Sequence, residues 1–201
     1  MDRQERSLLR CAVAVVACLT LAPAAGAVRA SAVPALSGDA AGLRLVGQVN
    51  RSYATTPAVR IEVAGGGFTG RFTSVMRNGV VVAQQAIVDE GVPERTLLVR
   101  REHQGTFVHD PDRDCWTFIP KSDPQALTDI GKPLLSGPGR VSRPRIAATT
   151  ITLTITWEGQ AMRAVIDKRT MHLRRFEATG YVARFTNLSK RPALPTSQPR
   201  C

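Results

Sequence analysis

Residues 149–157 read TTITLTITW, so Ile151, Leu153, Ile155 and Trp157 alternate with Thr150, Thr152, Thr154 and Thr156. An extended strand separates these two sets, because successive side chains on a strand point to opposite faces. Such a strand needs neighbours and something to cover its apolar face. Neighbours are plentiful: AVRIEVA, FTGRFTSVMR, VVVAQQAIV, RTLLVRRE, GTFVHD and CWTFIP precede it, and AMRAVID, HLRRFEA and YVARFTNL follow. Between them lies turn chemistry, with RNG at 77–79, DEGVPE at 89–94, HQG at 103–105 and DPDRD at 110–114. These links are too short for the crossovers that parallel neighbours require, which predicts an antiparallel meander of ten strands. A sheet of that size must curl or close.

Two segments are available as covers. DAAGLRLVGQVNRSY spaces Leu43, Val46, Val49 and Tyr53 as one face of an amphipathic helix, which Pro57 stops. Residues 121–147 hold four prolines and three glycines around two apolar pairs, Leu127 with Ile130 and Leu134 with Leu135. Asp123 and Pro124 read as an N-cap and first helical residue, with Gly131 closing one or two turns. A long insert of this kind in a compact sheet domain reads as a lid or binding loop. The expected fold is mainly β with one N-terminal helix: a curled antiparallel meander forming an unclosed half barrel with a helical, Pro-rich lid. Leu127, Ile130, Leu134, Leu135, Ile151, Leu153, Ile155 and Trp157 are the candidate lining of a hydrophobic ligand cavity, and each reads equally as core.

Residues 1–27 have the layout of a signal peptide: a basic start, the short apolar run CAVAVVACLTLA, then small residues. Ala25 and Ala27 fit the small-x-small rule for cleavage after Ala27. VVAC also fits a lipobox, whose use would anchor the chain through Cys18, but the apolar LTLAPAAGA after it is unlike a polar tether. Residues 28–40 read as a flexible leader and 41–201 as a single domain. Cleavage removes Cys11 and Cys18 and leaves Cys115 and Cys201, which in an oxidising compartment pair as a disulfide or stand as two thiols.

Removing Arg3, Arg6, Arg10, Asp2 and Glu5 from 27 basic and 16 acidic residues leaves 24 and 14, a net charge of +10. The bases are scattered through the strands beside acids, as in VRIEV and RRFEA, without a helical basic stripe or an aromatic-rich motif. Nucleic acid is therefore not the expected partner. The charge reads either as a plainly basic, arginine-biased surface or as attraction to an anionic membrane surface or envelope polymer.

The helix leading into VRIEV, the long meander, the Pro-rich insert and the closing IDKRTMHLRRFEATGYVARFTNLSKRPALP together resemble the LolA-like superfamily. That group comprises lipoprotein carriers and lipid-binding envelope proteins of the LppX and LprG type. Asp167, Thr170, Arg175, Glu177, Phe185 and Asn187 occupy the positions of its D..T....R.E strand pair and F.N strand. The resemblance spans about residues 41–199. It implies an unclosed barrel wrapped over a helix with a cavity for acyl chains. The Cys115 and Cys201 pair departs from the carriers.

Catalytic chemistry is not indicated, and neither cofactor nor metal is expected. His103, His109 and His172 have no metal-ligand spacing. Asp110, Asp112 and Asp114 open like a calcium loop, but Cys115 stands where its glycine should be and Lys121 where its glutamate should be, so the segment reads as a hairpin turn. AGGGFTG lacks the following helix that a phosphate cradle needs. The expected function is an extracytoplasmic carrier or binding protein for a lipid or acylated ligand. The alternative is an envelope sensor or interaction module that binds a protein partner, of the anti-sigma-factor regulator type.

Overall fold

Two dipeptides anchor the main hairpins. In the computed structural model, which describes residues 36–66, 68–89, 96–101, 105–110, 112–119, 132–137, 139–195 and 199–201, Asn78 and Gly79 have φ of 52° and 78°. Glu158 and Gly159 have 48° and 78°. Positive φ at both central residues is what the two-residue turn favoured between right-twisted strands requires. The signal-peptide residues Ala25 and Ala27, Cys18, and the insert residues Leu127 and Ile130 lie outside the described residues.

The elements are β1 (Ser37–Gly38), α1 (Ala40–Ser52), β2 (Ala58–Gly65), β3 (Phe68–Arg77), β4 (Val80–Asp89), β5 (Thr96–Arg101), β6 (Gly105–Asp110), β7 (Cys115–Ile119), β8 (Arg140–Val141), β9 (Arg145–Ile146), β10 (Thr150–Trp157), β11 (Gln160–Asp167), β12 (Leu173–Ala178) and β13 (Tyr181–Leu188). They form one sheet in the order β1-β8-β10-β11-β12-β13-β2-β3-β4-β5-β6-β7, with β9 also on β10. Two meanders, β2 to β7 and β10 to β13, each run in chain order and are joined where β13 pairs antiparallel with β2. The architecture is the expected one: mainly β, one N-terminal helix and an open, curled sheet. It differs in its three two-residue strands, one of which, β1, pairs parallel with β8. Short links exclude parallel neighbours only between strands that are consecutive in the chain, and these two are not. Ser37 and Gly38 thus put part of the stretch read as a leader into the sheet.

Each sheet edge is partly covered, which reduces the free backbone groups that would otherwise template aggregation. β8 and β9 pair with β10. At the other edge Trp116 N–H donates to the Pro199 carbonyl at 2.9 Å, and Cys201 N–H to the Trp116 carbonyl at 3.1 Å. The Cys115–Cys201 disulfide ties this tail strand down.

Asp39 caps α1, its Oδ1 accepting from Ala41 N–H at 2.9 Å and Gly42 N–H at 3.0 Å. The buried stripe is Gly42, Leu45, Val46 and Val49, with Tyr53 following at the C-cap. Leu43, expected inside, is 36% exposed, and Leu45 takes its place. Gly42 is the cause: a Cβ there would sit 2.4 Å from the Ser142 carbonyl oxygen, so the helix approaches the sheet along the glycine's line and turns Leu43 outward.

The C-terminal end of α1 is locked to the turn between β11 and β12. Ser52 Oγ donates to the Met171 carbonyl at 3.0 Å. Asn187 Nδ2–H donates to His172 Nδ1 at 2.5 Å, which leaves His172 Nε2–H to donate to the Ser52 carbonyl at 3.0 Å. Tyr53 packs against His172 with the rings tilted and their centroids 4.8 Å apart, and its hydroxyl accepts from Leu173 N–H at 2.9 Å. Asp167 shapes the turn by accepting from the N–H groups of Arg169 and Thr170 at 2.9 Å each, and it pairs with Arg174. The Thr170 N–H first, then Arg174, hold its carboxyl well below the usual carboxylate range, so this contribution is present above that range and fades as pH falls.

Burial pushes the Tyr53 phenol above its ordinary pKa, an effect only partly offset by the Leu173 N–H. A raised folded-state pKa means that stability is complete below the unfolded value of about 10 and is lost above it, where the unfolded chain ionises. Tyr53→Phe should cost about 1–3 kcal/mol at neutral pH, because Leu173 N–H is left buried and unpaired. Urea unfolding of both proteins across the alkaline range should show the gap narrowing once pH exceeds about 10. A constant gap would count against the buried phenol.

Candidate functional site

The sheet offers two faces for binding. On the inner face, Ile151, Leu153 and Ile155 lie in one buried cluster with Met162, Ala164, Ile166, Phe176, Val59, Ile61, Val63 and Phe72. α1 supplies Leu45, Val46, Val49 and Tyr53 to the same cluster, and Leu134 and Leu135 join it. Leu153 has no exposed surface, and Trp157 is half-buried against the cluster's edge. The helix is thus the direct cover of the β10 face: the Cβ position built on Gly42 is 3.3 Å from Leu153 Cδ1.

The described part of the 121–147 insert is tied in place. Val81 N–H donates to the Lys132 carbonyl at 3.1 Å, and Asn50 both donates to the Leu135 carbonyl (2.9 Å) and accepts from its N–H (3.1 Å). Residues 140–146 contribute β8 and β9 to the sheet edge. A β-bulge also serves this face. Leu173 and Phe176, three apart, can both point inward because the β11–β12 register shifts after Val165, leaving Arg174 as the extra residue.

The outer face is polar and rich in arginine. The register sets Val165, Arg175, Arg184, Glu62, Arg71 and Ile87 in one row across six strands. Arg163 and Glu177 are opposite in the row on one side, and Thr186, Arg60, Thr73 and Gln85 align on the other. Five arginines therefore share this field with two glutamates. Glu177 lies 2.6 Å from Arg163 Nη2 and 2.5 Å from Arg175 Nε, while Glu62 is 3.8 Å from Arg71. The Arg175 Nε contact is close but misaligned, so that N–H makes no hydrogen bond, and Arg60 Nε is likewise buried without a partner. Arg184 has no ion pair among the described residues and stands directly opposite Arg175. Like charges placed opposite each other destabilise a strand pair.

None of these arginines was a site candidate from the sequence. The signal was present in each strand, since Arg60, Arg71, Arg163 and Arg184 fall on the polar side of an alternating run. What was missing was the register that brings them together.

His103 lies outside the described residues, and the other histidines and the cysteine pair are engaged. Asp110, Cys115 and Cys201 lie close enough to share a cation, but the two sulfurs form the disulfide and offer no thiolate. Asp110 Oδ1 instead accepts from the N–H groups of Asp112 (3.0 Å) and Arg113 (3.3 Å), capping the hairpin turn. His109 bonds Asp114 at 3.1 Å, and His172 belongs to the helix clamp. Phe107 and Trp116 form a second buried cluster, with Arg200 stacked 5.9 Å from the Phe107 centroid and 5.6 Å from that of Phe118. Among the described residues no helix is long and apolar enough to cross a membrane.

No protein-family model matches the chain, and no curated protein matches its sequence. Solved structures do resemble it. The crystal structure of MucB is 13% identical with a TM-score of 0.42, covering 81% of this chain and 64% of that one. The MucA/MucB complex of Pseudomonas aeruginosa is 14% identical with a TM-score of 0.42, covering 78% and 60%. The hypothetical protein CT021 from Chlamydia trachomatis is 12% identical with a TM-score of 0.43, covering 74% and 97%. The chain thus spans less than two thirds of the first two.

The filled inner face makes a direct prediction. Leu153→Ala should leave a cavity beneath α1 and cost about 2–5 kcal/mol in urea unfolding, the range for a fully buried leucine. A cost well under 1 kcal/mol would mean that this face is loosely filled and suits a ligand.

Proposed function

We propose that the chain is an exported, non-catalytic binding module of the cell envelope that engages a protein partner through the arginine-rich outer face of its sheet. One observation carries this reading. The apolar inner face that would serve a carrier is occupied by α1, Leu134 and Leu135, while the outer face keeps arginines that the fold does not neutralise. Acyl-chain carriage on the described β10 face, the function the LolA-like resemblance implies, would require α1 or residues 132–135 to leave the core. The signal-peptide layout of residues 1–27 supports export.

The test uses full-length protein expressed in its native envelope with a photo-cross-linking residue at Thr73, at Thr186 or, as a control, at the exposed turn residue Lys168. The expected result is one discrete adduct from Thr73 and Thr186 and none from Lys168, with the partner identified by mass spectrometry. Organic extraction of the same purified protein should yield no stoichiometric lipid. A stoichiometric co-purified lipid with no outer-face adduct would overturn the proposal in favour of a carrier.

A further inference from the structure

We infer that the partner segment seated on this face is an extended acidic stretch, whose carboxylates at positions i and i+2 bind the Arg175–Arg184 pair and Arg60. The inference rests on the outer-face reading above and adds the chemistry of the partner.

Three features in one place point to an anion. Arg175 and Arg184 are directly opposed, although a strand pair is weakened by like charges in that position. Arg60, on the next strand and diagonal to Arg184, holds a buried Nε–H without an acceptor. Glu62 and Glu177 are already engaged with Arg71, Arg163 and Arg175, so the excess positive charge falls on Arg184 and Arg60. All of these cations are arginines, whose planar fork takes a carboxylate or phosphate oxygen pair through two parallel hydrogen bonds.

Spacing selects among anions. Arg184 lies opposite Glu62, two residues along β2 from Arg60, so the two basic positions are about 6.6–6.8 Å apart along the strand direction. That is the repeat between same-side side chains of an extended peptide. A segment lying along β13 would place one carboxylate over Arg175 and Arg184 and the next over Arg60, within reach of the Thr186 and Thr73 hydroxyls. Glu62 and Glu177 would repel an acid displaced from that register. A single phosphate spans only one of the two positions. A bilayer meets a curled sheet along a narrow line and reaches half-buried Arg60 poorly. A second copy of the mature chain carries the same net charge of +10 and is repelled.

The probe is a fluorescent peptide of alternating Glu and Thr, with a Gln-for-Glu peptide as control, titrated into the mature protein by anisotropy. Binding of the Glu peptide alone, weakening as salt rises, is expected. Arg184→Glu should weaken it more than about tenfold, because one charged contact is lost and a repulsion takes its place. Arg60→Gln should weaken it several-fold, while Arg140→Gln at the sheet edge should leave it unchanged. Arg184→Thr supplies the readout that a structural role would not give: peptide binding falls while urea stability holds or rises, because the like-charge opposition is relieved.

Tight binding to vesicles of equal parts phosphatidylglycerol and phosphatidylcholine, lost in the same variants while the peptide fails, would assign the site to lipid headgroups and overturn the inference. Saturable binding of inorganic phosphate by calorimetry, with no peptide binding, would assign it to a free anion and overturn it too. If the peptide fails but the Thr73 and Thr186 adducts form, the acidic-segment inference falls and the outer-face reading stands. If both fail, both fall.

Discussion

The pairing of β13 with β2 makes one protein out of two meanders. Eight residue pairs, from Tyr181 with Gly65 to Leu188 with Ala58, join strands that lie more than 100 residues apart in the chain. Closing such a loop is entropically costly and slow, so the register must be strongly enforced. Alternation enforces it. Val59, Ile61 and Val63 face the core with Ala183 and Phe185, while Arg60, Glu62 and Arg184 face out. A slip by one residue would carry Arg60 and Glu62 into the apolar cluster. The same pairing seats α1, which leads directly into β2, beside Asn187 and the β11–β12 turn that clamp its end.

Much of this was legible in the chain. The ten long strands followed from alternation, and the hairpins at Asn78-Gly79 and Glu158-Gly159 rest on local backbone geometry. The Cys115–Cys201 bond followed from reading residues 1–27 as a signal peptide, which leaves two cysteines to pair. The rest depended on contacts that no local pattern encodes. Leu43 and Leu45 are equally apolar, and only the close approach at Gly42 decides which one is buried. β8 and β9 are two residues long and owe their conformation to β10. The bulge that turns Leu173 and Phe176 to the same side reads in sequence only as a break in alternation. The arginines of the outer face each sat in plain view, but their association needed the long-range register. Four of the motif residues of the LolA-like resemblance are architectural: Asp167 and Thr170 build the turn, Phe185 packs on the core and Asn187 holds His172.

An apolar strand face specifies that something must cover it, but not what the cover is. Here the cover is a helix held at both ends, by Gly42 against β8 and β10 and by the Tyr53–His172–Asn187 clamp. Exposing Leu45, Val46, Val49 and Tyr53 would forfeit about 1.5–3 kcal/mol each as an upper estimate. Four such losses are of the order of a domain's whole stability. Helix departure is therefore comparable to unfolding, and α1 is poorly suited to open spontaneously as a lid. Residues 132–135, held by the Val81 and Asn50 hydrogen bonds, are the less costly element to displace.

Folding gives good reasons for nearly every charge on the outer face. Glu62 meets Arg71, Glu177 meets Arg163, and Asp167 meets Arg174, each pair modest at a wet surface but consistent with its neighbours. Arg175 against Arg184, with the unpartnered Nε of Arg60 beside them, is the exception. Threonine in place of Arg184 would suit the strand better and remove the repulsion, while Arg175 at least keeps its contact with Glu177. Local choices that oppose the fold tend to concentrate where a protein meets something else. By that reasoning the arginine trio is what motivates the proposed counter-charge from outside the chain, and its two-residue spacing along the sheet is what the proposed ligand has to match.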